Sequence, residues 1–145
     1  MRSKLIAESE LGRRYLLVLD RGDELMAKVK SFAESERLRA AEFTGIGAVS
    51  SAKLAAFDPD TREYVYVPDP NGRITLPGGA DPANPPAERQ LHVHCVLSDE
   101  SGATTAGHVF ELVIRPTCEV FLTESAEHVA RGEDPDSGLP VISLD

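Results

Sequence analysis

The chain has 145 residues, 41% hydrophobic and 27% charged, the balance of one ordinary globular domain. Fifteen Lys and Arg stand against 24 Asp and Glu, a formal net charge of -9, which makes the isolated chain a poor partner for a polyanion such as DNA. No stretch approaches the ~20 apolar residues of a membrane span, and the N-terminus lacks a signal-peptide core, so a soluble cytoplasmic protein is expected.

Tyr15 to Leu19 is a short apolar run suited to a buried strand. Gly22 and Asp23 open a helix with acids in its first turn, and Leu25, Val29, Phe32 and Ala33 follow at helical spacing to give one apolar face. Ala40 to Thr44 reads as a strand, and Gly45-Ile46-Gly47-Ala48 as a tight bend between strands, since it lacks the third glycine of a dinucleotide loop. Ala52 to Phe57 and Tyr64 to Val67 form a strand pair joined by Asp58-Pro59-Asp60.

Residues 68 to 90 hold six of the ten prolines and read as a long loop, with a short strand at Ile74 to Leu76. Three further strands follow: Leu91 to Leu97, a segment around Thr105 to Ile114, and Glu119 to Leu122. Residues 124 to 145 carry six acids against the single base Arg131 and read as a solvated acidic tail with one helical turn. Cys95 and Cys118 each sit alone in strand-like surroundings and are expected as free, buried thiols. One helix against at least five strands gives an α+β fold: a single domain with a mostly antiparallel sheet.

Three of the four histidines fall close together. In Leu91-His92-Val93-His94-Cys95-Val96-Leu97 the residues Leu91, Val93, Cys95 and Leu97 take one face, and His92 and His94 take the other about 6–7 Å apart. Asp99-Glu100-Ser101-Gly102 then supplies a hairpin turn. If paired residue numbers sum to 202, His94 lies opposite His108; if they sum to 200, His92 does; an odd sum turns His108 to the far side. In either even register three imidazoles converge as in three-ligand zinc sites. Gly107 beside His108 points to a close backbone approach or a bend that aims the ring. His128 lies in the acidic tail and reads as a surface residue.

These elements carry a resemblance. The run Tyr15-Leu16-Leu17-Val18-Leu19-Asp20-Arg21-Gly22-Asp23-Glu24-Leu25, the Gly45-Ile46-Gly47-Ala48 segment, Phe57-Asp58-Pro59 before Glu63-Tyr64, Leu91-His92-Val93-His94, Ser98-Asp99 and Ala106-Gly107-His108 occur in that order. As an ordered set they resemble the PPC (plants and prokaryotes conserved) domain over residues 11 to 123, with 124 to 145 as the tail. The resemblance implies an α+β domain, usually a homotrimer, with a metal, zinc, held by His92, His94 and His108. Many members show Gly-Gly-His where this chain has Ala106-Gly107-His108, and relatives carry a strand ending in Gly-Asn where this chain has the loop through Gly78-Gly79. Glu111 matches a common acidic position, but odd spacing on a regular strand points it away from His108, so a catalytic or supporting role needs a bulge between them. The Arg-Gly-Arg-Pro core of the plant AT-hook is absent.

Three functions follow from this reading. The first is a zinc-binding homotrimer of unassigned cellular role. The second is a metal-dependent hydrolase or lyase at the same site, with Glu111, Asp99 or Glu100 as the base. The third is a DNA-binding or regulatory scaffold with a protein partner.

Overall fold

A computed structural model describes residues 1–67, 91–127 and 129–143. The expected strand at Ile74 to Leu76 and His128 lie outside the described residues.

The framework is one antiparallel sheet built on two long strands, β3 (Ala41–Asp58) and β6 (Thr104–Glu124). β2 (Gly12–Leu19) pairs with the C-terminal half of β6, and β1 (Arg2–Ser9) pairs with β2. β4 (Glu63–Tyr66) pairs with the end of β3, and β5 (His94–Ser98) pairs with the N-terminal half of β6. The sheet order is therefore β1-β2-β6-β3-β4, with β5 attached to β6 off that path.

α1 (Leu25–Ser35) lays Leu25, Val29 and Phe32 on the sheet, where they meet Leu17, Leu19, Leu112, Ile114, Val120 and Leu122. Full burial of each such side chain contributes about 1.5–3 kcal/mol. Phe32 also packs edge-on against Tyr15, with ring centroids 5.0 Å apart. The helix starts at Leu25 because Glu24 caps it: its carboxylate accepts from Met26 N at 3.0 Å and Ala27 N at 2.7 Å. The first turn itself contains no acid; Asp23 instead stands before the cap and accepts from Asp20 N at 2.9 Å. Glu24 also accepts from Leu112 N at 3.2 Å, tying the start of the helix to β6 between the stretches paired with β2 and β5.

Three elements differ from the sequence reading. Gly45 to Ala48 is no bend between strands but part of the continuous β3, because β6 passes too close for side chains. A Cβ on Gly47 would lie 2.5 Å from both Cys118 Cα and the Thr117 carbonyl oxygen. Likewise, the two strands expected from 105 to 122 are one, β6, running through the cis Arg115–Pro116 peptide. The acidic tail forms a separate two-stranded hairpin, β7 (Ala130–Glu133) with β8 (Pro140–Ser143), in place of a helical turn. Asp134 organises its turn by accepting from Ser137 N at 2.8 Å and Ser137 Oγ at 2.6 Å. Cys95 and Cys118 are free, Cys118 buried and Cys95 half-buried.

Candidate metal centre

Between Leu91 and Leu97 half-buried and exposed residues alternate without a break, Leu91, Val93, Cys95 and Leu97 inward and His92, His94 and Val96 outward. β5 pairs with β6 so that His94 lies opposite His108, the register in which residue numbers sum to 202. The ladder continues beyond β5, where Val109 N donates to Val93 O at 2.9 Å, and this keeps His92 beside the pair. The three rings form a nearly equilateral group, with centroids 5.1 Å (His92–His94), 5.1 Å (His92–His108) and 5.3 Å (His94–His108) apart. One ligand nitrogen from each lies within 4.8 Å of the other two.

The donor set fits a divalent metal. Tetrahedral zinc with Zn–N bonds of about 2.0–2.1 Å needs nitrogens about 3.3 Å apart, a distance small ring rotations reach from here. His108 Nδ1 is buried with no hydrogen-bond partner, a costly state that a ligand would relieve. Burial, then the neighbouring His92 and His94, push the His108 pKa down to about 4, so the ring is neutral near pH 7, as a metal ligand must be. His92 is lowered too, by burial first and then by His94 and Arg131. Arg131 belongs to β7 of the tail hairpin.

Two features of β6 aim His108. Position 107 must be glycine, since a Cβ there would lie 2.9 Å from the Ala55 carbonyl oxygen and 3.3 Å from Leu54 Cβ. The close approach expected from the sequence is therefore present. A bulge follows: Val109 pairs with Leu54 and Glu111 with Lys53, leaving Phe110 with no partner on β3. Val109 and Leu112 both face the core, so Phe110 and Glu111 both leave it, on the face that carries His108. The bulge that Glu111 required is there, yet Glu111 Oε2 accepts from Lys53 Nζ at 3.2 Å. Asp99, the other named base, spends its carboxylate in the hairpin turn, accepting from Ser101 N (2.8 Å), Ser101 Oγ (2.6 Å) and Ala103 N (3.1 Å). Five residues of strand, about 16 Å, separate it from His94, and Glu100 is exposed beyond it in the same turn.

An aromatic wall beside the trio was not read from the sequence. Tyr64 of β4 reaches across β3 to His108, with centroids 4.9 Å apart, and Phe110 contacts His108 at 5.1 Å, Tyr64 at 5.2 Å and Tyr66 at 5.5 Å. Phe57 closes the row against Tyr64 at 5.3 Å. Ala55, opposite both His108 and Tyr66, is fully buried beneath these rings. The alternation Tyr64-Val65-Tyr66 held the available signal, since it places both tyrosines on one face of their strand.

Comparison with known proteins identifies the family of this fold. The family model of the Plants and Prokaryotes Conserved domain matches residues 6–126, most of the chain. The chain belongs to this family. Among solved structures, the PPC protein of Pyrococcus horikoshii is 28% identical, covers 92% of each chain and superposes with a TM-score of 0.73. A metal-containing protein of Archaeoglobus fulgidus is 27% identical, covers 94% of this chain and 96% of its own, and gives 0.72. A candidate DNA-binding protein of Bacteroides thetaiotaomicron shares the fold at 18% identity, covering 98% and 97%, with a TM-score of 0.74. No functionally curated protein matches this PPC chain. Among the described residues no helix is long and apolar enough to cross a membrane.

Proposed function

We propose that this PPC-domain protein binds one divalent metal, zinc, per chain through His92, His94 and His108, and acts as a homotrimer. The carrying observation is the convergence of three imidazoles, one with a buried and unpartnered nitrogen. The metal-containing relative at 27% identity supports the same reading. Neutral imidazoles in threes suit zinc, and a zinc ion so held would supply a Lewis acid with an open position. The chain's own part is to fix the rings: Gly107 lets β6 close on β3, the bulge at Phe110 sets the strand after His108, and Tyr64 packs on the His108 ring. In support of self-association, Ile46 and Val96 are 76% and 71% exposed, apolar surface that a second copy can cover.

Elemental analysis of untagged protein tests the metal. We expect near one zinc per chain, and loss of the ion in His92→Ala and in His94→Ala. Protein that stays metal-free after dialysis against zinc refutes the reading. Light scattering tests the assembly: a mass of about 47 kDa, three copies of 15.7 kDa, is expected, and a 15.7 kDa species rejects the trimer.

A catalytic second reading is favoured by the bulge that brings Glu111 to the histidine face. In it Glu111, released from Lys53, takes a proton during hydrolysis. Turnover of ester, phosphate or amide substrates that is abolished by chelator and by Glu111→Gln supports this role, and no turnover ends it. The DNA-binding description of the Bacteroides protein does not transfer, because at 18% identity it shares the fold alone. The net charge of -9 also opposes it, and absence of a low-salt gel shift is expected.

A further inference from the structure

The rings beside the histidines offer a site for more than a metal. Tyr64, Tyr66 and Phe110 make a continuous aromatic surface that starts in contact with His108 and runs over β3 to β4. Ordinary packing accounts for Tyr64, which is half-buried between Phe57 and His108. It does not account for Phe110, the unpaired bulge residue, whose ring points out of the core and stays 38% exposed while in contact with His108. A large apolar ring held in water at the lip of a polar site is the arrangement of a ligand pocket, where apolar walls carry affinity and a few polar groups orient the ligand.

Charge selects the ligand's sign. Three neutral imidazoles leave a divalent ion's charge uncompensated, and the carboxylate brought to this face by the bulge, Glu111, is neutralised by Lys53. In a chain of net charge -9, this corner is locally positive once a cation is held. We propose that the site binds a small planar aromatic anion, an aryl carboxylate, with its ring against Phe110 and Tyr66 and its carboxylate toward the histidines. The proposal rests on the metal reading above and adds to it the class of ligand.

Calorimetric titration of the zinc-loaded full chain with benzoate, cyclohexanecarboxylate and acetate tests it. Benzoate is expected to bind at least about tenfold tighter than acetate and about fivefold tighter than cyclohexanecarboxylate, the margin of ring-on-ring contact. Phe110→Ala removes the preference for benzoate while leaving acetate binding in place. The comparison of acids needs no variant, so it stands even where Phe110→Ala folds poorly. Zinc bound at one per chain with benzoate no tighter than acetate overturns this proposal and spares the metal reading. Failure to bind zinc at all overturns both, and equal benzoate binding with and without zinc overturns the placement of the carboxylate.

Discussion

Gly107→Ala is the sharpest test of how the fold aims His108. The added methyl would sit 2.9 Å from the Ala55 carbonyl oxygen, 3.3 Å from Leu54 Cβ and 3.4 Å from Ala55 N. Two of these neighbours are backbone atoms of β3, so no side chain can swing aside, and β6 must lift from β3 beside His108. Overpacking of this kind costs about 1–3 kcal/mol. For a chain of this length that lowers the melting temperature by about 3–10 °C. Because the strand moves next to the ring, zinc affinity should fall as well, by about tenfold or more when the ring is displaced from coordinating geometry. Thermal melts of metal-free protein report the first effect, and competition with a chromogenic chelator reports the second. A variant that melts within 1 °C of the wild type, or that is destabilised yet binds zinc unchanged, would refute the argument that Gly107 sets the site.

Three further outcomes are expected. Glu24→Ala removes the helix cap and strands the Leu112 amide, so it should cost about 2–4 kcal/mol in urea unfolding, whereas Glu24→Gln should cost less because it keeps an acceptor oxygen. Asp23 is held down to about 2, from 3.8, by the Asp20 backbone N–H first and then by the N-terminal ammonium and Lys28. A depressed carboxyl stabilises the fold above its unfolded value and loses that contribution as pH falls through the folded one. The stability gap between wild type and Asp23→Asn should therefore be full at pH 6 and close between pH 4 and 2 in denaturant titrations. A gap that is unchanged at pH 2 contradicts the assignment. Saturating zinc at 100 times its Kd should add about 2.7 kcal/mol, a rise of about 5–10 °C in melting temperature that EDTA reverses and that His108→Ala abolishes.

The parts of the fold that the sequence revealed share one property: a buried face next to an exposed one. The α1 stripe Leu25, Val29, Phe32 and the alternation through Leu91–Leu97 were legible for this reason, and the second of these placed the histidines. β1 was not, because all eight of its residues are exposed and its sequence carries no buried rhythm, although it pairs with β2 along its length. Gly45 and Gly47 misled for a physical reason. Glycine marks both turns and close approaches, and here β6 presses on β3 so that Gly47 serves the second role. The bulge at Phe110 left only a faint trace, the two core residues Val109 and Leu112 spaced three apart on a strand that should alternate. The aromatic wall draws residues from β3, β4 and β6, and only the assembled sheet brings them together.

Ala55 carries a consequence beyond its single methyl. It lies under the rings that lean toward His108, with β4 on one side and β6 on the other. Any branched side chain at that position would press on its cross-strand neighbours Tyr66 and His108 like a wedge under a hinged panel, although the three ligand residues would all still be present. A relative could keep all three histidines and still lose the chamber around them, so the residue matching Ala55 is as good a marker of a working site as the ligands are.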